Sequence, residues 1–144
     1  MQQVTVKADA VTEYLRSQGK TPEVAYFGNS KMVIGWRVTL AEFELVYRLE
    51  ENQLVVCDFK AHHDTSSDNR AAAGFIKLIH QLERNVPQMK HVRGMLLDSI
   101  QSDVLSLRQR LAEVLVYQGA YWQEIDGDPW LVYDAGVKRK AAAA

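Results

Sequence analysis

The sequence predicts an α+β fold: a single domain built on a largely antiparallel mixed sheet with three helices. Three observations support this. Strand patterns form one run before residue 60, helical patterns flank a short strand in the second half, and an Asp-Gly turn signal separates two β-rich segments near the end. Runs of strands followed by helices favour α+β over a regularly alternating α/β fold.

The first half is predicted to be one helix and then four strands. The helix covers Val4–Gln18, since its apolar residues recur at helical spacing and Gly19 follows as a stop signal. In Glu42–Leu49, apolar and polar residues alternate, as in a strand with one buried face. We expect two consecutive antiparallel hairpins, with strands at Val24–Phe27, Met32–Leu40, Glu42–Leu49 and Leu54–Phe59.

The second half is predicted to be helix, strand, helix and hairpin. A polar loop, His62–Asn69, leads to a helix with Asp68 as its N-cap and a continuous apolar stripe. The remaining elements are a short strand at His91–Leu97, a helix from Asp103 to Gln118-Gly119, and strands at Tyr121–Ile125 and Trp130–Tyr133. Asp126-Gly127 is among the strongest hairpin signals.

Domain organisation follows from the absence of a linker or repeat. Residues 1–136 are predicted to form the single domain. Residues 137–144, with Lys138-Arg139-Lys140 and four alanines, are expected to be a disordered basic tail, either a frayed terminus or a segment added for expression.

Charge and composition exclude several classes of function. The formal net charge is −1 and the basic residues are scattered, which argues against a nucleic-acid partner. No apolar stretch is long enough for a membrane span, and no signal peptide is recognisable. Cys57 is the only cysteine, so it forms no intrachain disulfide and we expect a buried inert thiol. We expect a cytoplasmic protein.

No catalytic, metal-binding or cofactor-binding residues are predicted. His62-His63-Asp64 suggests a metal site, but adjacent side chains on an extended segment diverge, and a solvated loop is preferred. The paired carboxylates at Glu50-Glu51 and at Asp126 and Asp128 lie in predicted turns. No serine has a nucleophile-elbow context, and Cys57 has no evident partner base.

The order of elements in the second half matches the acetyltransferase (GNAT) architecture, as an analogy of fold alone. GNAT enzymes bind the pyrophosphate of coenzyme A through the turn Arg/Gln-x-x-Gly-x-Gly/Ala at a helix start, where backbone N–H groups need close approach. Starting that motif at Arg70 places Ala73 and Phe75 at its glycine positions. Because Phe75 also belongs to the apolar stripe, a GNAT-like acyltransferase with a non-standard cofactor loop is the alternative hypothesis.

Aromatic side chains concentrate in the last hairpin, and large exposed aromatics are enriched at protein interfaces. We predict a partner-binding surface made by Tyr121, Trp122, Trp130 and Tyr133. An open edge strand there would accept a client segment by strand addition, or a second copy in a homodimer.

The chain resembles the SseE-type accessory proteins of type III secretion systems, from about Val11 to Tyr133. The resemblance is carried by seven segments: Tyr14-Leu15-Arg16, Glu23-Val24-Ala25-Tyr26-Phe27-Gly28, Leu45-Val46-Tyr47-Arg48-Leu49-Glu50, Leu54-Val55-Val56-Cys57-Asp58-Phe59, Leu107-Arg108-Gln109-Arg110-Leu111, Gln118-Gly119-Ala120 and Ile125-Asp126-Gly127-Asp128-Pro129-Trp130. It implies a non-enzymatic helper, chaperone-like or an LcrR-like regulator, that binds a secreted translocator, an effector or a component of the secretion apparatus. That is the function expected from the sequence.

Overall fold

The computed structural model describes residues 7–61, 67–94 and 102–135. The helices are α1 (Ala10–Ser17), α2 (Ser67–Asn85) and α3 (Ser102–Tyr117). The strands are β1 (Glu23–Tyr26), β2 (Val33–Thr39), β3 (Phe43–Glu50), β4 (Gln53–Ala61), β5 (His91–Gly94), β6 (Tyr121–Ile125) and β7 (Asp128–Asp134). The predicted tail, 137–144, lies outside the described residues.

All seven strands form one sheet, in the order β1-β2-β3-β4-β5-β7-β6. Every neighbouring pair is antiparallel except β4 and β5, which run parallel and are joined through α2. The predicted α+β class, the largely antiparallel sheet and the three helices are confirmed. Because β7 lies between β5 and β6, β1 and β6 are the edge strands among the described residues.

Two predicted helix starts are wrong. The first helix begins at Ala10 instead of Val4, because the Asp9 carboxylate accepts a hydrogen bond from the Thr12 N–H (2.7 Å) and caps it there. Asp68 lies inside α2, which begins at Ser67, and so it is not the residue before the helix. The last hairpin turns as predicted, with Asp126 and Gly127 both at positive φ (52° and 84°).

The three helices pack on one face of the sheet, which we call the helix face. Phe75 of α2 makes edge-on contacts with Phe43 of β3 and Phe59 of β4, with ring centroids 6.0 and 5.2 Å apart. Tyr47 shares that face of β3 and reaches α1, while Leu115 of α3 lines a cavity that Phe75 also lines. This face holds the main core cluster.

The opposite, open face is polar. Ion pairs run across it, joining Arg37 to Glu44 (3.4 Å), Arg48 to Glu50 (2.7 Å) and Lys60 to Asp58 (3.8 Å). An antiparallel sheet commonly has one face on the core and one solvated. No described helix is long and apolar enough to cross a membrane.

Candidate functional site

The first candidate site is a slot at the junction of β4 and β5. Their parallel pairing runs from Gln53–His91 to Val56–Gly94, while β4 continues to Ala61. Within the described residues, the second half of β4 therefore pairs with β3 alone. On the helix face, this junction has a narrow apolar cavity with about 280 Å³ of open space, of which about 20 Å³ admits the centre of a water molecule. Its lining residues are Val56, Phe75, Ile79, Val92, Arg93, Gly94, Leu115, Ala120, Leu131 and Tyr133.

A β-bulge lies where the two strands stop pairing. Val46 pairs with Asp58 and Tyr47 pairs with Val56, so Cys57 is the extra residue of β4. It has no partner position in β3 or, among the described residues, in β5. Bulges re-aim side chains and take backbone groups out of the ladder, and they are frequent beside active sites.

The thiol of Cys57 is only half-buried, although the sequence predicted a buried one. Its Sγ lies 3.7 Å from the carbonyl oxygen of Ile34 and 3.8 Å from that of Val55. Burial raises the pKa of the thiol, which keeps it in its weakly nucleophilic protonated form. The thiol is therefore not poised as a nucleophile.

The start of α2 does not fit the pyrophosphate of coenzyme A. Arg70 lies within the helix, so the residues aligned with the cofactor turn are in its second and third turns and not at its N-terminus. Phe75 is 1% exposed, and Gly74 packs so closely on β3 that an added Cβ would lie 3.2 Å from the Phe43 ring. Residues 62–69 contain no glycine. The start of α2 therefore lacks the glycine turn that would hold the pyrophosphate.

The second candidate site is a groove on the open face, beside β6. It holds about 430 Å³ of open space and is lined by Gln53, His91, Arg93, Tyr121, Gln123, Ile125 and Val132. At one end, His91 Nδ1 lies 2.9 Å from Asp134 Oδ1, and the Tyr121 hydroxyl donates to the same oxygen (3.2 Å). Desolvation and the nearby Asp134 carboxylate raise the pKa of Tyr121, which keeps its hydroxyl a donor.

Arg93 forms the inner wall of this groove. Its guanidinium stacks on the Trp130 ring, 4.7 Å from the centroid, and one Nη lies 3.5 Å from a Glu50 oxygen. Its Nε is buried and makes no hydrogen bond among the described residues. A cation held flat on an indole in this way is a fixed donor for an anionic or carbonyl group.

The structure brings only two of the four predicted partner-binding residues to the surface. Tyr121 and Trp122 are each 43% exposed, on opposite faces of edge strand β6. Trp130 is half-buried beneath Arg93, and Tyr133 is buried with its hydroxyl donating to Glu83 (2.7 Å). The two pairs of residues differ in exposure because Tyr121 and Trp122 belong to the edge strand β6, whereas Trp130 and Tyr133 belong to the internal strand β7.

Three exposed aromatic side chains lie outside the predicted partner-binding surface: Tyr26, Phe27 and Tyr117. Tyr117, at the end of α3, is 89% exposed, and Val116 beside it is 43% exposed. The signal was available, because both residues lie off the apolar stripe of α3 and directly before the Gln118-Gly119 stop. The surface at β6 therefore continues onto the end of α3.

The paired carboxylates lie at the ends of strands and in the turns beside them: Glu50 ends β3 and Asp128 begins β7. Glu50 is paired with Arg48 and Arg93, and Asp126 lies in the β6–β7 turn. Across the described parts of the chain, no group of three or more His, Cys, Asp or Glu side chains is placed to hold a metal ion. His62-His63-Asp64 lies outside those parts.

Comparisons with known proteins yield a structural match. No protein-family model matches the chain, and no curated protein does. Among solved structures, the chain is similar to the ribosomal-protein-S18-alanine N-acetyltransferase from Escherichia coli, at 11% sequence identity and a TM-score of 0.43. The match covers 74% of this chain and 71% of the acetyltransferase. The helix, strand, helix and hairpin predicted for the second half are the elements that the structure has there.

Two expectations from the sequence are contradicted by this result. The matched protein is an enzyme and no type III secretion protein is matched. The non-enzymatic character and the secretion accessory function, chaperone-like or regulatory, are therefore wrong. The prediction failed because of the sequence segments on which the SseE-type resemblance rests. These segments fall largely in β1, β3, β4 and the β6–β7 turn. They set strand register and turn geometry, which proteins of unrelated function share. The resemblance to SseE-type proteins stays a prediction.

Proposed function

We propose that the chain is a GNAT-like acyltransferase with a non-standard donor site. The observation that carries this proposal is the junction of β4 and β5: a parallel pair that stops pairing at Val56–Gly94, with a bulge at Cys57 and an apolar slot beside it. The slot is lined by apolar side chains, and its present free volume is about that of one water molecule, so an extended apolar arm would enter it by displacing those side chains.

The bulge supplies the polar part of the proposed site. Cys57, which has no partner position in β3, follows Val56 directly, and Val56 and Gly94 are the last paired residues of β4 and β5. Fixed backbone N–H groups in a water-poor site stabilise a developing oxyanion, which is the charge that forms when an acyl carbonyl is attacked. The Cys57 thiol takes no covalent part in the proposal, because its pKa is raised.

The donor is proposed to be a pantetheine thioester whose phosphates are not held by the start of α2. Arg70 and Gly74 both lie inside α2, so neither residue belongs to a glycine-rich turn before the helix. We propose a cytoplasmic location, since Cys57 is a free thiol and reducing compartments keep thiols free.

Thermal unfolding with acetyl-coenzyme A and with S-acetylpantetheine tests the proposal. A ligand that binds only the folded state at 100 times its Kd adds about 2.7 kcal/mol of stability. In a chain of this size we expect Tm to rise by roughly 5–10 °C. The variant Ala120→Leu fills the slot with a larger side chain and should abolish the rise. Ala73→Leu, on the exposed side of α2, is the matched control and should keep it.

The two probes and the Ala120→Leu variant distinguish whether the chain binds an acyl thioester from where it binds it. A rise with either probe that is lost in Ala120→Leu supports acyl-thioester binding in the slot. A rise that survives in Ala120→Leu would place the ligand elsewhere. No rise with both probes at millimolar concentration would overturn the function.

A further inference from the structure

The two edges of the sheet differ in their protection against pairing with another strand. At β1 the register shifts between Ala25 and Tyr26, and Pro22 precedes the strand, so this edge is short and irregular. At β6 all five residues pair with β7 in continuous register, from Tyr121–Val132 to Ile125–Asp128. Natural edge strands are usually blunted by a bulge, a proline or a lysine, and β6 has none of these.

The unprotected edge also exposes large apolar side chains. Tyr121 to Glu124 are all exposed, and Trp122 is 43% exposed on the helix face. Val116 and Tyr117 add further exposed apolar surface at the end of α3, one short turn before β6. Tyr26, Phe27 and Met32 also expose apolar surface at the end of β1, so the continuous register of β6, and not exposure, distinguishes the two edges.

The strand is self-complementary in one register. Directly opposite residues of an antiparallel pair lie on the same face. A twofold axis normal to the sheet keeps the helices of both copies on the same side of the joined sheet. Such an axis places one residue of β6 directly opposite the same residue of the second copy, and that residue is the centre of the register. Centring on Gln123 places Tyr121 opposite Ile125 of the second copy and Trp122 opposite Glu124 of the second copy, and it pairs all five residues.

The other registers are poorer. Centring on Glu124 places two carboxylates directly opposite each other, which is unfavourable. Centring on Trp122 pairs only three residues of each β6. The Gln123 register has no like charges in opposition and uses the whole strand.

We propose that the chain forms a twofold homodimer in which the β6 strands of two copies pair antiparallel about Gln123. The two sheets then join into one sheet of fourteen strands. The open-face groove lies beside β6, and Tyr121, Gln123 and Ile125 line it. The second copy therefore supplies the outer wall of each groove, opposite His91 and Arg93.

Charge reversal at the twofold axis tests the dimer and its register together. In native mass spectrometry and sedimentation equilibrium, the wild-type chain should have twice the monomer mass of 16.4 kDa. Gln123→Glu and Gln123→Lys each place like charges opposite each other, and we expect the dimer Kd to rise roughly threefold or more. An equal mixture of the two variants should recover the dimer as a mixed pair.

The matched control is Glu23→Lys at the other edge strand, which should leave the dimer Kd unchanged. Gln123 is exposed, so each variant should keep the wild-type Tm of the monomer. A wild-type chain that stays monomeric at 100 µM overturns the proposal. So does a dimer that Gln123→Glu leaves intact, or one that the Glu23→Lys variant weakens. None of these outcomes depends on acyl-thioester binding.

Discussion

The hydroxyl of Thr12 lies 2.7 Å from the hydroxyl of Tyr47, and both side chains are fully buried. Thr12 is the buried polar residue of α1, and Tyr47 belongs to the helix face of β3. The pair is separated by 35 residues in the chain. A buried hydroxyl without a partner is costly, so each residue requires the other. This one bond ties the first helix to the centre of the sheet.

A double-mutant cycle measures that bond. We expect Thr12→Val and Tyr47→Phe each to lower the free energy of unfolding by about 1–2 kcal/mol, because each leaves a buried hydroxyl unsatisfied. The double variant should lose less than the sum, by about 1 kcal/mol, since neither hydroxyl is then left over. Urea unfolding provides the measurement, and Thr39→Val on an exposed part of β2 is the control. Strict additivity would show that the bond contributes nothing.

Alkaline pH should destabilise the fold through Tyr47. Burial raises the pKa of this phenol well above its ordinary value of about 10. The unfolded chain therefore loses the proton first as pH rises, and it binds fewer protons than the folded chain. Stability is unaffected below about pH 10 and falls above it, by up to about 1.4 kcal/mol per pH unit.

The comparison of wild type with Tyr47→Phe isolates this effect. Urea unfolding at pH 9, 10 and 11 should show a steeper loss in wild type, because the variant has no phenol at that position. Tyr26→Phe, at an exposed position, should keep the wild-type slope. Equal slopes in wild type and Tyr47→Phe would mean that the buried phenol ionises as easily as an exposed one.

Gly35 is required by close backbone approach. An added Cβ would lie 2.1 Å from the carbonyl oxygen of Tyr47, and φ is +156°. Gly35→Ala should therefore cost at least about 2 kcal/mol, since backbone must move. Gly28→Ala is the control: its φ is +53°, but nothing lies within 4 Å, so only about 1 kcal/mol is expected. Equal Tm values for the two variants would contradict the steric argument.

Local chemistry was readable from the sequence. The alternation in Glu42–Leu49 predicted β3, and Asp126-Gly127 predicted the last turn, because both signals act over two to eight residues. The apolar stripe of α2 predicted that Phe75 is a core residue. These features depend on neighbours in the chain, so one sequence contains them.

The sites could not be predicted in the same way. His91 and Asp134 meet across β5 and β7, 43 residues apart, and the strand register sets their contact. Trp130 is covered by Arg93 only because β7 lies inside the sheet. The bulge at Cys57 depends on the pairing of β3 with β4. Such contacts follow from long-range pairing, and no local pattern encodes it.

The thiol of Cys57 should react slowly with disulfide reagents despite being half-exposed. Its raised pKa keeps the thiolate fraction at neutral pH below that of a free cysteine, and only the thiolate attacks. At pH 7.5, we expect the folded chain to react with a small aromatic disulfide more slowly than the urea-unfolded chain. The rate should still be rising above pH 9, where a free thiol levels off.

A variant Arg48→Ala removes a nearby positive charge that lowers the pKa of the Cys57 thiol, and it should slow the reaction further. The matched control is Arg84→Ala, on the exposed side of α2, with an unchanged rate. A fast reaction at pH 7.5 would instead mark Cys57 as an activated thiol and bring it into the chemistry of the slot.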